Sequence, residues 1–485
     1  VKHMKVNLFI NNEDVTTEHY DEVRNPGRLS EVVGYIARGD ASHIDGAVQS
    51  AHRAFQSWSQ TSLEERMSIL LKSAEEIERN ASFIASVTAK ENGILLGRTV
   101  DEVKLGLMDM RNMIELAPSA FQNRIIEDES GWVSVVKRPM GVIACIVPWN
   151  APIILTLQKI TPILLAGNTI VVKPSPTASM GVVTLLRIMA EFFPPGVINV
   201  VLGGSEVGSA LTSHPLVRKI SFTGGGNTAV TIMKSAAETL KGVHFELGGN
   251  DPAIVLDDAD LNEVVPKIVE GAFRRTGQFC FAIKRVYVPY SMYEEFYEKV
   301  CELADSYQIG YQLNEETTMG PINNKLQYQR ISELIERLEH SRANLVKLGK
   351  KLEPENWDNG YYLQPVIVRD VDPTAEIVTC EQFGPVLPLI PYHTEEEVIH
   401  LANNSEFGLG SSVWSSDFER ALEVANQIEA GMTFINGHGQ TPLGSKYIPF
   451  GGIKQSGIGR EKSIEVFDEF IEYHGINFHK KINVC

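Results

Sequence analysis

From Ser42 onward the apolar residues Ile44, Ala47, Val48, Ala51, Ala54, Phe55 and Trp58 recur at three-and-four spacing. That period predicts an amphipathic helix with Ser42 as its cap. A longer helical stretch is predicted from Leu63 to about Lys90. Within 111–138, the run Gly131 to Lys137 alternates apolar with polar and predicts a strand or hairpin projecting from the body, its apolar half in need of a cover. Downstream, short apolar runs alternate with helical segments: Val142–Val147, Thr169–Val172, Val197–Leu202, Lys219–Phe222 and His244–Leu247. Strands buried on both faces and separated by helices predict a parallel α/β sheet. A second set, Ala253–Leu256, Arg285–Val288, Leu345–Leu348, Val366–Val368 and Val386–Ile390, predicts a second α/β lobe. No internal repeat, low-complexity segment or long linker separates the two, so the boundary near Leu247-Gly248-Gly249 is expected to be tightly packed.

Composition narrows the function classes. The 485 residues have room for about three units by the rule of roughly 150 residues each. With 44 Lys and Arg against 61 Asp and Glu, the formal charge of −17 repels nucleic acid and anionic membrane surfaces, so neither is expected as a partner. Cysteines stand at 145, 280, 301, 380 and 485 without a C-x-x-C pair or a short Cys/His cluster, which predicts free thiols and no metal site. No apolar run approaches the roughly 20 residues of a membrane span, and no signal-like segment opens the chain, so a cytoplasmic location is expected. The opening Val1-Lys2-His3-Met4 reads as a tag scar.

Several residues carry candidate chemistry. Cys280 lies in Thr276-Gly277-Gln278-Phe279-Cys280-Phe281-Ala282, between a helical segment and a strand, where a loop could present sulfur to a cleft; alone, it reads more readily as a small buried hydrophobe. Glu246 ends an apolar strand that runs into glycines, where desolvation raises a carboxyl toward the range of a general base; the plainer alternative is a strand-end ion pair. Asn150, between Pro148-Trp149 and Ala151-Pro152, is a rigidly held amide able to donate to an oxyanion, or simply a turn residue. Lys173, before Pro174-Ser175-Pro176, sits at the carboxyl end of a parallel strand, where α/β folds bind ligands. Gly224-Gly225-Gly226-Asn227-Thr228-Ala229 follows a strand and opens a helix, formally satisfying a dinucleotide fingerprint with Glu246 about 20 residues on. At least three strands precede it, which departs from the usual first-turn position. The helix N-terminus still suits a pyrophosphate.

Taken together, Pro148-Trp149-Asn150-Ala151-Pro152, Lys173-Pro174-Ser175-Pro176, Phe222-Thr223-Gly224-Gly225, Glu246-Leu247-Gly248-Gly249, Gly277-Gln278-Phe279-Cys280, Glu381-Gln382-Phe383-Gly384-Pro385 and Pro449-Phe450-Gly451-Gly452-Ile453-Lys454-Gln455-Ser456-Gly457 resemble the aldehyde dehydrogenase superfamily, in its order and across nearly the whole chain. The resemblance implies an α/β fold with a Rossmann-like nucleotide-binding lobe (5–122 and 141–247), an α/β catalytic lobe (248–455) and a small β oligomerisation arm (123–140 with 468–485). It implies a homodimer or homotetramer, and a non-acylating NAD(P)-dependent oxidation of an aldehyde to the acid through a thioester. Residue by residue, Cys280 matches the nucleophile, Glu246 the general base and Asn150 the oxyanion donor, assisted by the Cys280 backbone N–H. Lys173, with Ser175 and Pro176 beside it, matches the adenosine-ribose site, and Glu381 and Phe383 the nicotinamide-ribose site. Trp149, Gly204, Phe222, Thr223, Gly224 and Gly225 line the rest of the cofactor path.

The chain departs from the pattern at Pro176, where many NAD-preferring relatives carry Glu, so NAD is expected first and NADP stands as the rival. Gly225 replaces a common Ser and Ala229 a frequent Gly. Ile154, Leu157 and Gln158, with Phe279, Phe281, His438 and Phe450, are expected to line a mainly apolar substrate tunnel. No Arg stands out as a carboxylate clamp, which disfavours semialdehydes. Two other functions fit parts of the same sequence: a cofactor-independent esterase or thioesterase using Cys280, and a non-catalytic binding protein on this scaffold.

Overall fold

The computed structural model describes residues 3–480. Val1, Lys2 and the segment 481–485, with Cys485 and the end of the expected arm segment 468–485, lie outside the described residues. The chain is α/β, and its first set of apolar runs forms the middle of an eight-stranded sheet. Five parallel strands lie in the order Gly242–Glu246, Val217–Thr223, Val142–Val147, Thr169–Pro174 and Ile198–Val200. Ile143, Val171, Val172 and Ile220 on these strands are fully buried, and burying each such side chain contributes roughly 1.5–3 kcal/mol. Antiparallel additions close both edges: Gly457–Ile458 beside Gly242–Glu246, and the hairpin Leu8–Ile10 with Glu13–Val15 beside Ile198–Val200.

Strand order reverses at Val142–Val147. The chain steps outward to Thr169–Pro174 and Ile198–Val200, then returns to the other side with Val217–Thr223 and Gly242–Glu246. In open α/β sheets, ligands bind beyond the carboxyl ends of the strands at such a reversal. The second sheet has seven strands, in the order Asn344–Lys347, Val366–Arg369, Val386–Tyr392, Ile283–Pro289, Asp251–Val255, Ser412–Trp414 and Phe434–Ile435, parallel except for the first. Only Leu247-Gly248-Gly249-Asn250 separate Gly242–Glu246 from Asp251–Val255. The carboxyl edge of one sheet therefore meets the amino edge of the other, and the cleft lies between them.

A separate sheet pairs Ile471–His479 antiparallel with Gly131–Pro139, and Gly131–Pro139 with Arg124–Glu127. Its register runs from Ile471 opposite Pro139 to His479 opposite Gly131. Ile125, Ile126, Tyr473 and Phe478 on this sheet are all more than half exposed.

Three local expectations are corrected. The first helix spans Ala41–Trp58, and its cap is Asp40, whose carboxylate accepts from the Ser42 and His43 backbone N–H groups while His43 bonds back. Ser42 instead donates its hydroxyl to Asp40, because a carboxylate two residues earlier is the stronger acceptor for the exposed N–H groups. The stretch from Leu63 is two helices, Leu63–Arg79 and Ala81–Asn92, because Asn80 turns its side chain back onto Glu76 and leaves helical geometry. Finally, the beginning of 111–138 belongs to the long helix Leu96–Ala120, which packs against Pro152–Leu165. Among the described residues no helix is long and apolar enough to cross a membrane.

Candidate active site

Loops from both sheet edges converge on the cleft. Asn150 follows Val142–Val147, Glu246 ends Gly242–Glu246, and Cys280 precedes Ile283–Pro289. The Asn150 side chain donates to the Gln278 carbonyl at 3.1 Å, and the Asn150 carbonyl accepts from Arg275 at 3.0 Å. These bonds cross between the sheets and hold the amide two residues from Cys280.

Local chemistry bends the Cys280 loop. Arg275 and Thr276 adopt φ of 52° and 61°, and Gly277 follows at 74°. A Cβ on Gly277 would lie 2.3 Å from the Gly384 carbonyl oxygen, so glycine is required there. Left-handed geometry at the two preceding residues costs on the order of 1 kcal/mol each. Side-chain bonds offset that cost: Thr276 donates to the Gly320 carbonyl at 2.9 Å, and Gln278 donates to the Pro321 and Arg275 carbonyls at 3.2 and 3.1 Å. Burial pushes the Cys280 thiol up to about 12, against the pull of the Lys284 ammonium and with added repulsion from Glu246, Asp251 and Glu381.

Glu246 is 2% exposed, and neither carboxylate oxygen has a hydrogen-bond partner. Burial raises its carboxyl well above the ordinary range, Glu461 adds repulsion, and Lys159, Arg460 and Lys462 pull the other way. Behind it Lys159 and Glu461 form a buried pair at 2.9 Å, and Lys159 also donates to the Ser221 hydroxyl at 3.2 Å. His244, two residues earlier on the same strand, places Nε2 3.8 Å from Glu246 Oε1. A buried carboxyl whose pKa is raised well above the ordinary range is a stronger base toward water once ionised.

The first sheet's other loops carry the features of an anion site. Lys173 is buried with only the Pro174 carbonyl, 3.4 Å away, as a partner among the described residues, and burial lowers its ammonium to about 8. Thr223 Oγ1 is buried without a partner. The helices Ser205–Ser213 and Gly226–Ala237 begin on Gly204 and Gly225, neither of which has a capping side chain, and a Cβ at either glycine would meet nothing within 4 Å. Bare helix N–H groups, a buried unpaired cation and open space fit a phosphate-bearing nucleotide. Ser175 lies 3.2 Å from the Thr177 hydroxyl, and Pro176 is exposed. Phe222 sits in the core, edge-on to Phe245 at 6.1 Å and directly beneath Gly224, so it shapes the turn instead of facing a ligand as expected. Across the cleft, Trp149 and Phe383 are edge-on at 5.6 Å. Glu381 accepts from the Gly249 N–H at 3.0 Å and pairs with Lys284 at 2.8 Å, and a Cβ on Gly248 would lie 2.1 Å from its carboxylate.

Beside the thiol, Phe279, Phe281 and Phe450 form an edge-to-face ladder with spacings of 5.0 and 5.5 Å. Ile154 is half-buried. Three expected tunnel residues have other engagements. Leu157 is wholly buried against Gly106 of the neighbouring helix. His438 binds the Ser412 hydroxyl at 2.9 Å and the Phe281 carbonyl at 2.7 Å. Gln158 gives its amide N–H to Asp109, whose other oxygen accepts from Ser445 at 2.6 Å. Packing and hydrogen bonding thus occupy groups that the sequence reading assigned to substrate. That reading also passed over Lys159, Glu461, His244 and Lys284. The signal for the first was present: Lys159 is the one charged residue in the mainly apolar helix Pro152–Leu165.

Comparison with known proteins agrees with this geometry. A model of the aldehyde dehydrogenase family matches residues 13–476. The chain is 34% identical over 477 residues to the alpha-ketoglutaric semialdehyde dehydrogenase of Bacillus subtilis, covering 95% of each chain. It superposes with a TM-score of 0.94 and 32% identity on an aldehyde dehydrogenase from Bacillus cereus solved as its NAD+ complex, covering 99% of this chain and 97% of that one. For the betaine aldehyde dehydrogenase of Staphylococcus aureus in complex with NAD+, the TM-score is 0.92 at 30% identity, covering 99% and 95%. With a family match over nearly its full length and an α/β cleft of this construction, the chain belongs to the aldehyde dehydrogenase family, whose members oxidise aldehydes.

Proposed function

We propose that this chain oxidises an aldehyde to its carboxylic acid with NAD+, or NADP+ as the rival, through a thioester on Cys280. The observation that carries the reading is the junction in which Asn150 bonds the Gln278 carbonyl while Glu246, at the end of a strand of the same sheet, lies near enough to repel a charge on Cys280. Cys280 sulfur, as thiolate, attacks the aldehyde carbon and forms a tetrahedral thiohemiacetal. Its oxyanion is held by the Asn150 amide and the Cys280 backbone N–H. A nicotinamide held by Glu381, Phe383 and Trp149 would supply the hydride acceptor, and the tetrahedral carbon on losing hydride would remain on Cys280 as the thioester. Glu246 then takes a proton from water, whose oxygen attacks the thioester carbonyl and releases the acid and the Cys280 thiolate.

Lys173, Gly204, Thr223, Gly225, Trp149, Glu381 and Phe383 are the residues assigned to holding the nucleotide. The absence of a carboxylate at Pro176 supports tolerance of an added phosphate. The similar solved structures contain NAD+, which supports NAD+ first. Relatives at similar identity are named for a semialdehyde and for betaine aldehyde, so the preferred aldehyde is better read from this chain's own residues. The division into nucleotide lobe, catalytic lobe and arm, and a homo-oligomer joined through the exposed apolar arm, belong to the same proposal.

The test is formation of reduced nicotinamide over a panel of aldehydes with each cofactor, together with mass spectrometry of the trapped protein. Aldehyde-dependent reduction and an acyl group on Cys280 are expected. No reduction with either cofactor, together with hydrolysis of activated esters, would instead establish a cofactor-independent esterase.

A further inference from the structure

Lys462 follows Glu461 on a backbone with φ of 71°, a left-handed conformation that disfavours a lysine. Its side chain lies over the aromatic ladder, with the ammonium 4.4 Å from the Phe450 ring centre and 5.9 Å from that of Phe281. It lines a cavity together with Phe281, Phe434, Ser445 and Phe450, directly beside the nucleophile's neighbour. Among the described residues the ammonium makes no ion pair and no hydrogen bond; aromatic faces are its contacts, and the Glu246 carboxyl feels its charge without pairing with it.

The available acids do not serve it. Glu461, adjacent in sequence, is committed to Lys159. Asp109, which reaches this wall through Ser445, has one oxygen on Ser445 and the other on Gln158. A second cation shares the arrangement: the Arg274 guanidinium lies 4.8 Å from the Phe279 ring and 5.7 Å from Phe281, also without an ion pair among the described residues. The chain's formal charge is −17, so a general shortage of carboxylates does not explain two unpaired cations around one ring.

We infer that Lys462 binds a carboxylate carried by the substrate, and that the preferred substrates are aldehydes with an anionic group at the end remote from the carbonyl. The inference rests on Cys280 as the nucleophile: the carbonyl sits at the thiol, the aromatic ladder covers the intervening chain, and the far carboxylate meets the ammonium. A compact ammonium in an apolar wall gains most from a full negative charge, whereas an ester or alkyl end leaves it as it is. The sequence reading disfavoured semialdehydes because it looked for an Arg clamp. The lysine that fills this place lies far from Cys280 in sequence and shows itself only in three dimensions.

The test compares kcat/KM for ω-carboxy aldehydes of increasing length with their methyl esters, in wild type, K462M and K462R, using whichever cofactor is reduced. Wild type is expected to prefer the free acid by roughly tenfold or more. In K462M that ratio collapses through KM for the acid, and K462R restores part of it. The wild-type ratio needs no variant and stands even if a substitution impairs folding. Equal kcat/KM for acid and ester in wild type would overturn the inference while leaving aldehyde oxidation intact. A K462M loss in kcat shared by both substrates, with a shifted pH profile, would also overturn it and assign Lys462 to tuning Glu246. Oxidation of neither substrate with either cofactor would remove the reading of Cys280, and the inference with it.

Discussion

His244 Nε2 lies 3.8 Å from Glu246 Oε1 at the end of one buried strand, and neither atom has a hydrogen-bond partner. Burial, with the neighbouring cations Lys159, Lys219 and Arg460, holds the imidazole well below its ordinary 6.5, so it is neutral beside a carboxyl whose pKa burial has raised. His244 is therefore a positioning group that keeps water from solvating Glu246. Replacement by the smaller Asn admits water, favours the carboxylate and moves the acid limb of kcat to lower pH. A kcat–pH profile of H244N that matches wild type would refute this role.

In the proposed reaction, deacylation depends on the ionised form of Glu246. Because its carboxyl is raised, kcat is expected to fall as pH drops through a value above the ordinary carboxylate range, where Glu246 becomes protonated. E246Q removes that limb, lowers kcat by roughly a hundredfold or more, and lets the acyl adduct accumulate. Intact-protein mass spectra during turnover, taken in parallel with the pH profile, measure both effects.

The Cys280 thiol of the free protein is pushed up to about 12 by burial. Below that value the thiolate fraction grows roughly tenfold per pH unit, so alkylation of Cys280 by iodoacetamide accelerates steadily through the neutral and mildly alkaline range. A plateau near neutral pH would contradict the assignment. C280S is expected to abolish oxidation.

Removing one member of the Lys159–Glu461 pair leaves a buried charge uncompensated. K159M is expected to lower stability by about 3–5 kcal/mol, read as a fall in Tm, and the double variant K159M/E461L to recover much of it. K159M also withdraws a cation that favours ionised Glu246, so the acid limb of kcat moves to higher pH.

The arm exposes Ile126 and Phe478 by 63% and 57%. If these residues cover one another's counterparts in an assembly, I126D/F478D lowers the mass seen by light scattering while leaving the fold's circular dichroism unchanged. An unchanged mass would place the assembly surface elsewhere.

The strands around the cleft were legible because each is a short, continuous apolar run between turn residues, and Val142–Val147 was placed to the residue. Helix boundaries were less so: the break at Asn80 depends on one side chain choosing Glu76 over solvent, a choice with no periodic trace. Cys280, Glu246 and Asn150 each stood in distinctive local sequence, and the motifs around them carried the family resemblance. The second layer was hidden by distance along the chain. Lys159 meets Glu461, and Lys462 meets Phe281, across segments whose adjacency only the folded topology creates. For Leu157 and His438 the converse holds, since their sequence neighbourhood says nothing about the partners that already occupy them.

Glu246 pairs with Gly457, on the edge strand Gly457–Ile458 that arrives from far downstream. During synthesis the Cys280 segment leaves the ribosome well before that strand exists, so the thiol and its base cannot be brought to their final setting on a partial chain. Such long-range pairing is slow to form. Its consequence is an order of assembly: Glu246 reaches its final setting only after the last edge strand has closed.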